Sequence, residues 1–447
     1  MHDLVIRGGN VVTPEGVRRA DVAIEGGLIR AIEPELSGGA NEIAADGLFL
    51  FPGLIDVHVH FNEPGHTEWE GAATGSRALA AGGGTLFCDM PLNSIPCTTN
   101  ARDFDTKCAA LEAASVTDFA IWGGIVPGNV GQMVELAERG VVGFKAFLCH
   151  SGLDEFPRVD DLTFWEGLCE AARLGLPVAI HAENHELIES LGRRMASQGR
   201  RGIRDFLESR PVIAELEAIQ RAAFLAGEAG AKLHVIHISS GRGVAVAAEA
   251  RARGVDISIE TCPHYLFFTE EDVERLGAVA KCAPPVRNKK EQDRLWDEVL
   301  GGSVDVVASD HSPSSPDRKA GDFWKAWGGI AGVQSTLAVL LDQGYHQRSL
   351  TLERIASLTA SRPARRFGFN DRGRLAVGGC ADITVADPCS TFTLNANDLL
   401  QRHAMSPYIG RSFRGAVKRT LRRGETIFAD GKITVQNGGR FVRPTGK

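Results

Sequence analysis

Gly53-Leu54-Ile55-Asp56-Val57-His58-Val59-His60 is an apolar run interrupted by two imidazoles placed two residues apart. Side chains at i and i+2 of an extended strand leave the same face, so His58 and His60 point at one spot. Imidazole is a poor neighbour for Leu, Ile and Val and is often only partly buried. Two of them on one strand face suggest a metal, provided the rest of the chain supplies further ligands.

Outward from this strand the chain alternates short β-branched runs with longer helical segments, the signature of parallel βα units. Eight strands are expected, beginning near Leu54, Thr85, Asp118, Gly143, Pro177, Lys232, Asp256 and Val304. Between them Ala101 to Ala114, Val212 to Glu228 and Lys289 to Leu300 carry helical periodicity. Eight such units close as an α/β fold, the (β/α)8 TIM barrel. Before residue 53 and after residue 372 the pattern changes to short alternating runs, at Leu4 to Arg7, Val22 to Glu25, Leu28 to Ile32, Ala381 to Ala386 and Thr420 to Ile433. These read as antiparallel β structure, with Asp430-Gly431 as a hairpin signal. Neither end has enough strands to bury a core alone. Residues 1–52 and 373–447 are therefore expected to form one small β-sandwich beside a barrel of residues 53–372.

Composition agrees with this size and narrows the class. A chain of 447 residues suits a barrel of about 250 residues or more with an accessory unit. Hydrophobic residues at 43% and charged ones at 23% are the balance of an ordinary folded protein. A net charge of -7 removes the electrostatic basis for binding nucleic acid or an anionic membrane surface. No run approaches the roughly 18 apolar residues of a membrane span. Nine cysteines, an odd number without C-x-x-C spacing, indicate a reducing compartment. The N-terminus lacks the basic and apolar regions of a secretory signal, so the cytoplasm is expected.

Barrel active sites lie at the C-terminal ends of the strands, and the polar anomalies of this sequence fall there. Beyond His58 and His60 come Lys145 in Gly-Phe-Lys-Ala-Phe, His181 in Ala-Ile-His-Ala-Glu, His237 in Val-Ile-His-Ile-Ser and Asp310 in Ala-Ser-Asp-His-Ser. Buried charges are almost always paired or bound to metal, so their shared depth in five strands favours ligation. Burial lowers the pKa of a lysine, and a neutral amine can add carbon dioxide to become a carbamate whose two oxygens bridge two metals. A snorkelling lysine or a Schiff-base amine are the other readings of Lys145 taken alone. Six ligands suit two divalent metals, most readily Zn, with Mn, Co or Ni as alternatives. Among the other histidines, His311 should face away from Asp310, and His150 and His185 lie just past strand ends where they could line a pocket. His66, His234 and His264 are expected in core or surface roles. Gly82-Gly83-Gly84 precedes a strand, so it is not a phosphate loop, and there is no Ser-His-Asp elbow.

Five further stretches complete the pattern: Asn62-Glu63-Pro64-Gly65, Glu68-Trp69-Glu70-Gly71, Met90 to Pro96, Lys319-Ala320-Gly321 and Lys325-Ala326-Trp327-Gly328-Gly329. With these and the six ligands, the whole chain resembles the cyclic amidohydrolases of the urease superfamily, relatives of dihydroorotase and hydantoinase. The resemblance implies that His58 and His60 hold the more buried metal with Asp310, and His181 and His237 the second. It implies an N6-carboxylysine at Lys145 and a hydroxide bridging the two, with Asp310 as general base. It also implies hydrolysis of the cyclic amide of allantoin to allantoate, in purine catabolism, by a homo-oligomer, a tetramer. Asn62 stands where dihydroorotases use an arginine for a carboxylate, and His150 where hydantoinases carry a tyrosine. A neutral pocket of Asn62, Asn93, Trp327, Gly328 and the backbone near Cys282 is expected to hold the uncharged, ureido-bearing substrate. Hydantoinase (dihydropyrimidinase) and dihydroorotase activities are the alternatives. A non-catalytic member of the superfamily is a third, but such proteins usually lose ligands, and this chain keeps all six.

Overall fold

In the computed structural model, which describes residues 1–445, the first barrel strand is Leu54–Val59. The next seven are Gly84–Asp89, Asp118–Ile121, Phe144–Phe147, Val178–His181, Leu233–Val235, Ile257–Thr261 and Val306–Val307, each starting within two residues of its expected place. Neighbours pair in parallel. A short extension of strand three, Gly123–Gly124, carries the ladder to strand four through Phe144↔Gly123 and Lys145↔Gly124. The barrel closes where Val59 bridges His311 and the His60 amide donates to the His311 carbonyl at 2.8 Å. These strands are buried along their whole length because helices cover their outer faces, which is why they read as near-continuous apolar runs.

The three segments with helical periodicity are the helices Ala101–Ala114, Val212–Ala229 and Lys289–Gly301. Their ends follow capping chemistry. Asn100 and Asn288 accept from the amides of Asp103 and Glu291 at 3.0 and 3.1 Å, satisfying donors the first turn leaves free. Gly230 and Gly302 end the latter two with φ of 63° and 91°, a conformation that favours glycine.

Strands from both chain ends form one nine-stranded sheet. Phe49–Pro52 joins the two halves, pairing parallel with His2–Thr13 and antiparallel with Ile383–Thr393. The sheet is mixed rather than wholly antiparallel, because Gly39–Ala44 also runs parallel to His2–Thr13 after the chain returns from Leu28–Glu33. Asp430 and Gly431, at φ 52° and 79°, make the expected tight turn between Glu425–Ala429 and Lys432–Ile433. Leu4, Ile6, Val22, Leu50, Ile383 and Leu421 belong to the core of this sheet. A buried ion cluster locks it to the barrel: an Arg372 nitrogen lies 3.0 Å from both Asp118, at the start of strand three, and Asp382, while Arg423 adds a second guanidinium to Asp118. Among the described residues no helix is long and apolar enough to cross a membrane.

Candidate metal centre

The six sequence-selected polar residues meet at one end of the barrel. His58 lies inside strand one and His60 one residue past its end, Lys145 in strand four, His181 at the end of strand five, and His237 and Asp310 just beyond strands six and eight. His237 and Asp310 leave their strands with φ of 39° and 45°, left-handed values that are costly for residues other than glycine. A ligand-bearing atom of His58, one of His60 and one of Asp310 all lie within 4.8 Å of one another. Asp310 Oδ1 is 3.1 Å from His58 Nε2 and 3.5 Å from His60 Nε2. The His58 ring centroid is 5.5 Å from that of His237, which in turn is 4.7 Å from that of His181.

Two buried carboxylates that sequence reasoning passed over set the tautomers. His58 Nδ1 is 2.8 Å from Glu260, which also meets His234 Nε2 at 3.0 Å. Burial opposes a charge on His58, but Asp310 and Glu260 on either side raise it to about 9; the Glu260 contact keeps one proton on Nδ1, so Nε2, facing Asp310, is the nitrogen a metal would take in exchange for its proton. On His181 the arrangement is reversed: Nε2 lies 2.9 Å from Glu183, itself paired with Arg210, so Nδ1 is the free lone pair. Burial opposes ionisation of both glutamates, yet their partners hold each at about 2: Arg210 and His181 for Glu183, His58 and His234 for Glu260. The sequence did carry a signal, an acidic residue within the buried strand Ile257–Thr261 and another two residues after His181. Asp56 is a third such carboxyl; its Oδ1 accepts from the Ser309 amide at 3.1 Å, tying strand one to strand eight.

The donor set fits divalent cations. His60 Nδ1, His237 Nδ1 and Lys145 Nζ are buried with no hydrogen-bond partner, an arrangement that water-free protein does not tolerate cheaply. Burial brings Lys145 down to about 7, so a substantial share of its amine is neutral near neutral pH. Burial likewise pulls His60, His181 and His237 below the ordinary imidazole value, favouring the neutral form a metal ligand requires. Asp310 is held well below the usual carboxylate range although burial opposes it, because His58, His60 and His237 face it.

These residues open onto a cavity of about 340 Å³. Asn93, Cys282, Trp327, Gly328 and His150 line it as expected. Asn62 and His185 do not. At φ 62°, Asn62 turns its amide beneath the rim, where Nδ2 donates to the Pro313 carbonyl at 3.3 Å, so it braces two loops instead of facing substrate. The wall is not neutral either: Arg210, Lys281, Arg318 and Lys325 line it against Glu189 and Asp310. Neutrality therefore gives no argument against a carboxylate-bearing substrate. His311 faces away from the centre, with Nδ1 accepting from the Gly332 amide at 3.1 Å, and His66 stacks on Trp69 at 4.1 Å. His264 is buried, with Nε2 unpartnered and one ring nitrogen within 4.8 Å of an Asp310 oxygen.

A barrel with this ligand cluster on its strand ends defines a class, and comparison agrees with it: the chain belongs to the amidohydrolase family, whose model matches residues 49–427, and is a metal-dependent hydrolase with a divalent metal centre. Within the family it is similar to proteins named allantoinase. It is 64% identical over 445 residues to the allantoinase of Solibacter usitatus, spanning 99% of this chain and 97% of that one. To the allantoinase of Deinococcus radiodurans it is 52% identical, spanning 99% of each. Among solved structures it superposes on the L-hydantoinase (dihydropyrimidinase) of Arthrobacter aurescens with a TM-score of 0.97 at 33% identity, covering 99% of this chain and 100% of the other.

Proposed function

We propose that this protein hydrolyses the cyclic amide of allantoin to give allantoate. The observation that carries a hydrolytic site is Lys145, a buried, unpartnered amine set among four histidines and Asp310. The similarity to allantoinases over nearly the whole chain supports the choice of ring. His58, His60 and Asp310 would hold one divalent ion and His181 and His237 the other, both most readily Zn, with Lys145 as N6-carboxylysine between them. Bound there, the metals would polarise the ring carbonyl and lower the pKa of a water so that it can attack near neutral pH.

The remaining work falls to the chain's own residues. Asp310 receives the proton of the attacking water and returns it to the departing amide nitrogen from one fixed position; its low pKa means that it starts as the carboxylate, free to accept. Glu260 and Glu183 hold the histidine rings in single tautomers, so the ligand atoms are already aimed. Asn93, Trp327, Gly328 and the backbone near Cys282 provide the wall against which the ring lies. A homo-oligomer, a homotetramer, is what the resemblance to the cyclic amidohydrolases implies. Nine free cysteines support a cytoplasmic location.

Purified protein assayed on allantoin, hydantoin and dihydroorotate tests the reading. Allantoin should be favoured over hydantoin in kcat/KM by about a hundredfold, since polar wall groups left unpaired penalise a ring without the ureido tail. Equal rates on all three, or preference for dihydroorotate, would replace allantoin as the substrate.

A further inference from the structure

The loop after strand eight carries a cation that the chemistry above does not use. The Arg318 guanidinium lies 4.4 Å from the ring centroid of Trp69 and 5.2 Å from that of Trp327, and the two indoles are themselves 4.9 Å apart. Arg318 is exposed and lines the cavity, and among the described residues no carboxylate pairs with it. An arginine clamped on two aromatic faces loses little further freedom when it binds, and its N–H edges stay available as donors.

Its surroundings are built to keep it there. The Trp327 amide donates to the Arg318 carbonyl at 2.8 Å, and Trp327 Nε1 donates to Ser312 O at 3.2 Å. The next residue, Lys319, donates to the carbonyls of Ala278, Trp327 and Gly329 at 2.9, 2.9 and 2.6 Å. On the other side, Trp69 is only 4% exposed and is backed by His66. The guanidinium is thus presented to the cavity by fixed backbone on one side and a packed indole on the other.

With the ring amide at the metal ligands, a substituent on the ring would lie elsewhere in the same cavity, whose wall includes the exposed Arg318. A ureido group offers a carbonyl oxygen with two lone pairs, and two N–H groups of a guanidinium can converge on that one acceptor. We propose that Arg318 is a specificity residue of this enzyme, gripping the ureido carbonyl of the substrate; this rests on the reading of allantoin as substrate.

Steady-state kinetics of the metal-loaded enzyme and of Arg318→Met and Arg318→Lys, on allantoin and on unsubstituted hydantoin, tests it. Arg318→Met should raise KM for allantoin by about thirtyfold, the scale of a lost charged hydrogen bond, with kcat and metal content nearly unchanged. Hydantoin, which has no ureido substituent, should be hydrolysed within threefold of the unsubstituted enzyme. Arg318→Lys keeps the charge but not the fork, so most of the loss should remain. An allantoin KM within twofold in Arg318→Met, full recovery in Arg318→Lys, or equal losses on both rings would overturn the assignment. Failure of the unsubstituted enzyme to hydrolyse allantoin is a separate result, which removes the substrate reading and this inference together.

Discussion

Asp310 is where backbone geometry and chemistry meet. It leaves strand eight at φ 45° and comes to lie against His58 and His60, so the position cannot be reached by simply continuing the strand. Asp310→Asn keeps the shape but cannot carry a proton, and turnover should fall by about two to four decades with little change in thermal midpoint. Turnover within threefold of the unsubstituted protein would assign the base elsewhere, and His150, which reaches the cavity wall, would be tested before His185, which does not. Lys145→Ala should lose metal and activity together, and short carboxylic acids should restore part of both by standing in for the bridging carboxylate. Retention of full metal content in that variant would exclude a bridging lysine. At this scale the sequence was legible wherever a charged or imidazole side chain interrupted an apolar run. Glu260 was overlooked because its strand, Ile-Ser-Ile-Glu-Thr, is not an apolar run and because it answers a histidine two strands away, His58, which no local spacing links to it. Asn62 was misplaced for the opposite reason. Its chain position suggests the rim, but a left-handed backbone turns it under.

The loops after strands seven and eight act as one element. Lys281, 5% exposed, donates to the carbonyls of Trp324 and Ala326 at 3.0 and 2.7 Å, while Lys319 holds three more carbonyls drawn from both loops. Together they fix the side of the cavity that carries Cys282, Trp327 and Gly328. Lys319→Met would leave three part-buried carbonyls without their donor, and each such loss costs up to about 1–3 kcal/mol where water cannot replace it. We expect a lower thermal midpoint and faster proteolytic cleavage within residues 312–329, with KM raised more than kcat is lowered. Unchanged stability and KM would show that the clasp is dispensable. None of this could be read from spacing. The sequence shows two lysines on polar loops, and only the fold supplies the backbone acceptors. Helices and strands were legible in contrast because their signal, the spacing of apolar residues along the chain, is local.

At the scale of the molecule, the barrel and the end-to-end sheet are coupled through Phe49–Pro52 and through the Arg372 cluster at Asp118. The alternation of strands and helices revealed the barrel. The sheet was harder to order, because Gly39–Ala44 and Phe49–Pro52 both lie parallel to His2–Thr13, a pairing that alternation cannot distinguish from a hairpin. Glu183 and Glu260, held at about 2 in the fold against an ordinary 4.5, make stability depend on acid. Above about pH 4.5 both are ionised in the folded and unfolded chain alike, and their contribution is complete. As pH falls from there toward 2, the unfolded chain takes up protons that the folded one resists, and this stability is lost. A thermal midpoint that stays flat between pH 5 and pH 3 would contradict that assignment.

The central claim is that hydrolysis depends on metals held by the residues gathered at the barrel rim. Its most direct test is elemental analysis of the purified protein, paired with allantoin hydrolysis before and after the metal is stripped and restored. The account predicts about two divalent metals per chain, loss of activity on stripping, and recovery with Zn and carbon dioxide supplied together. Full activity in protein freed of all metal would contradict it.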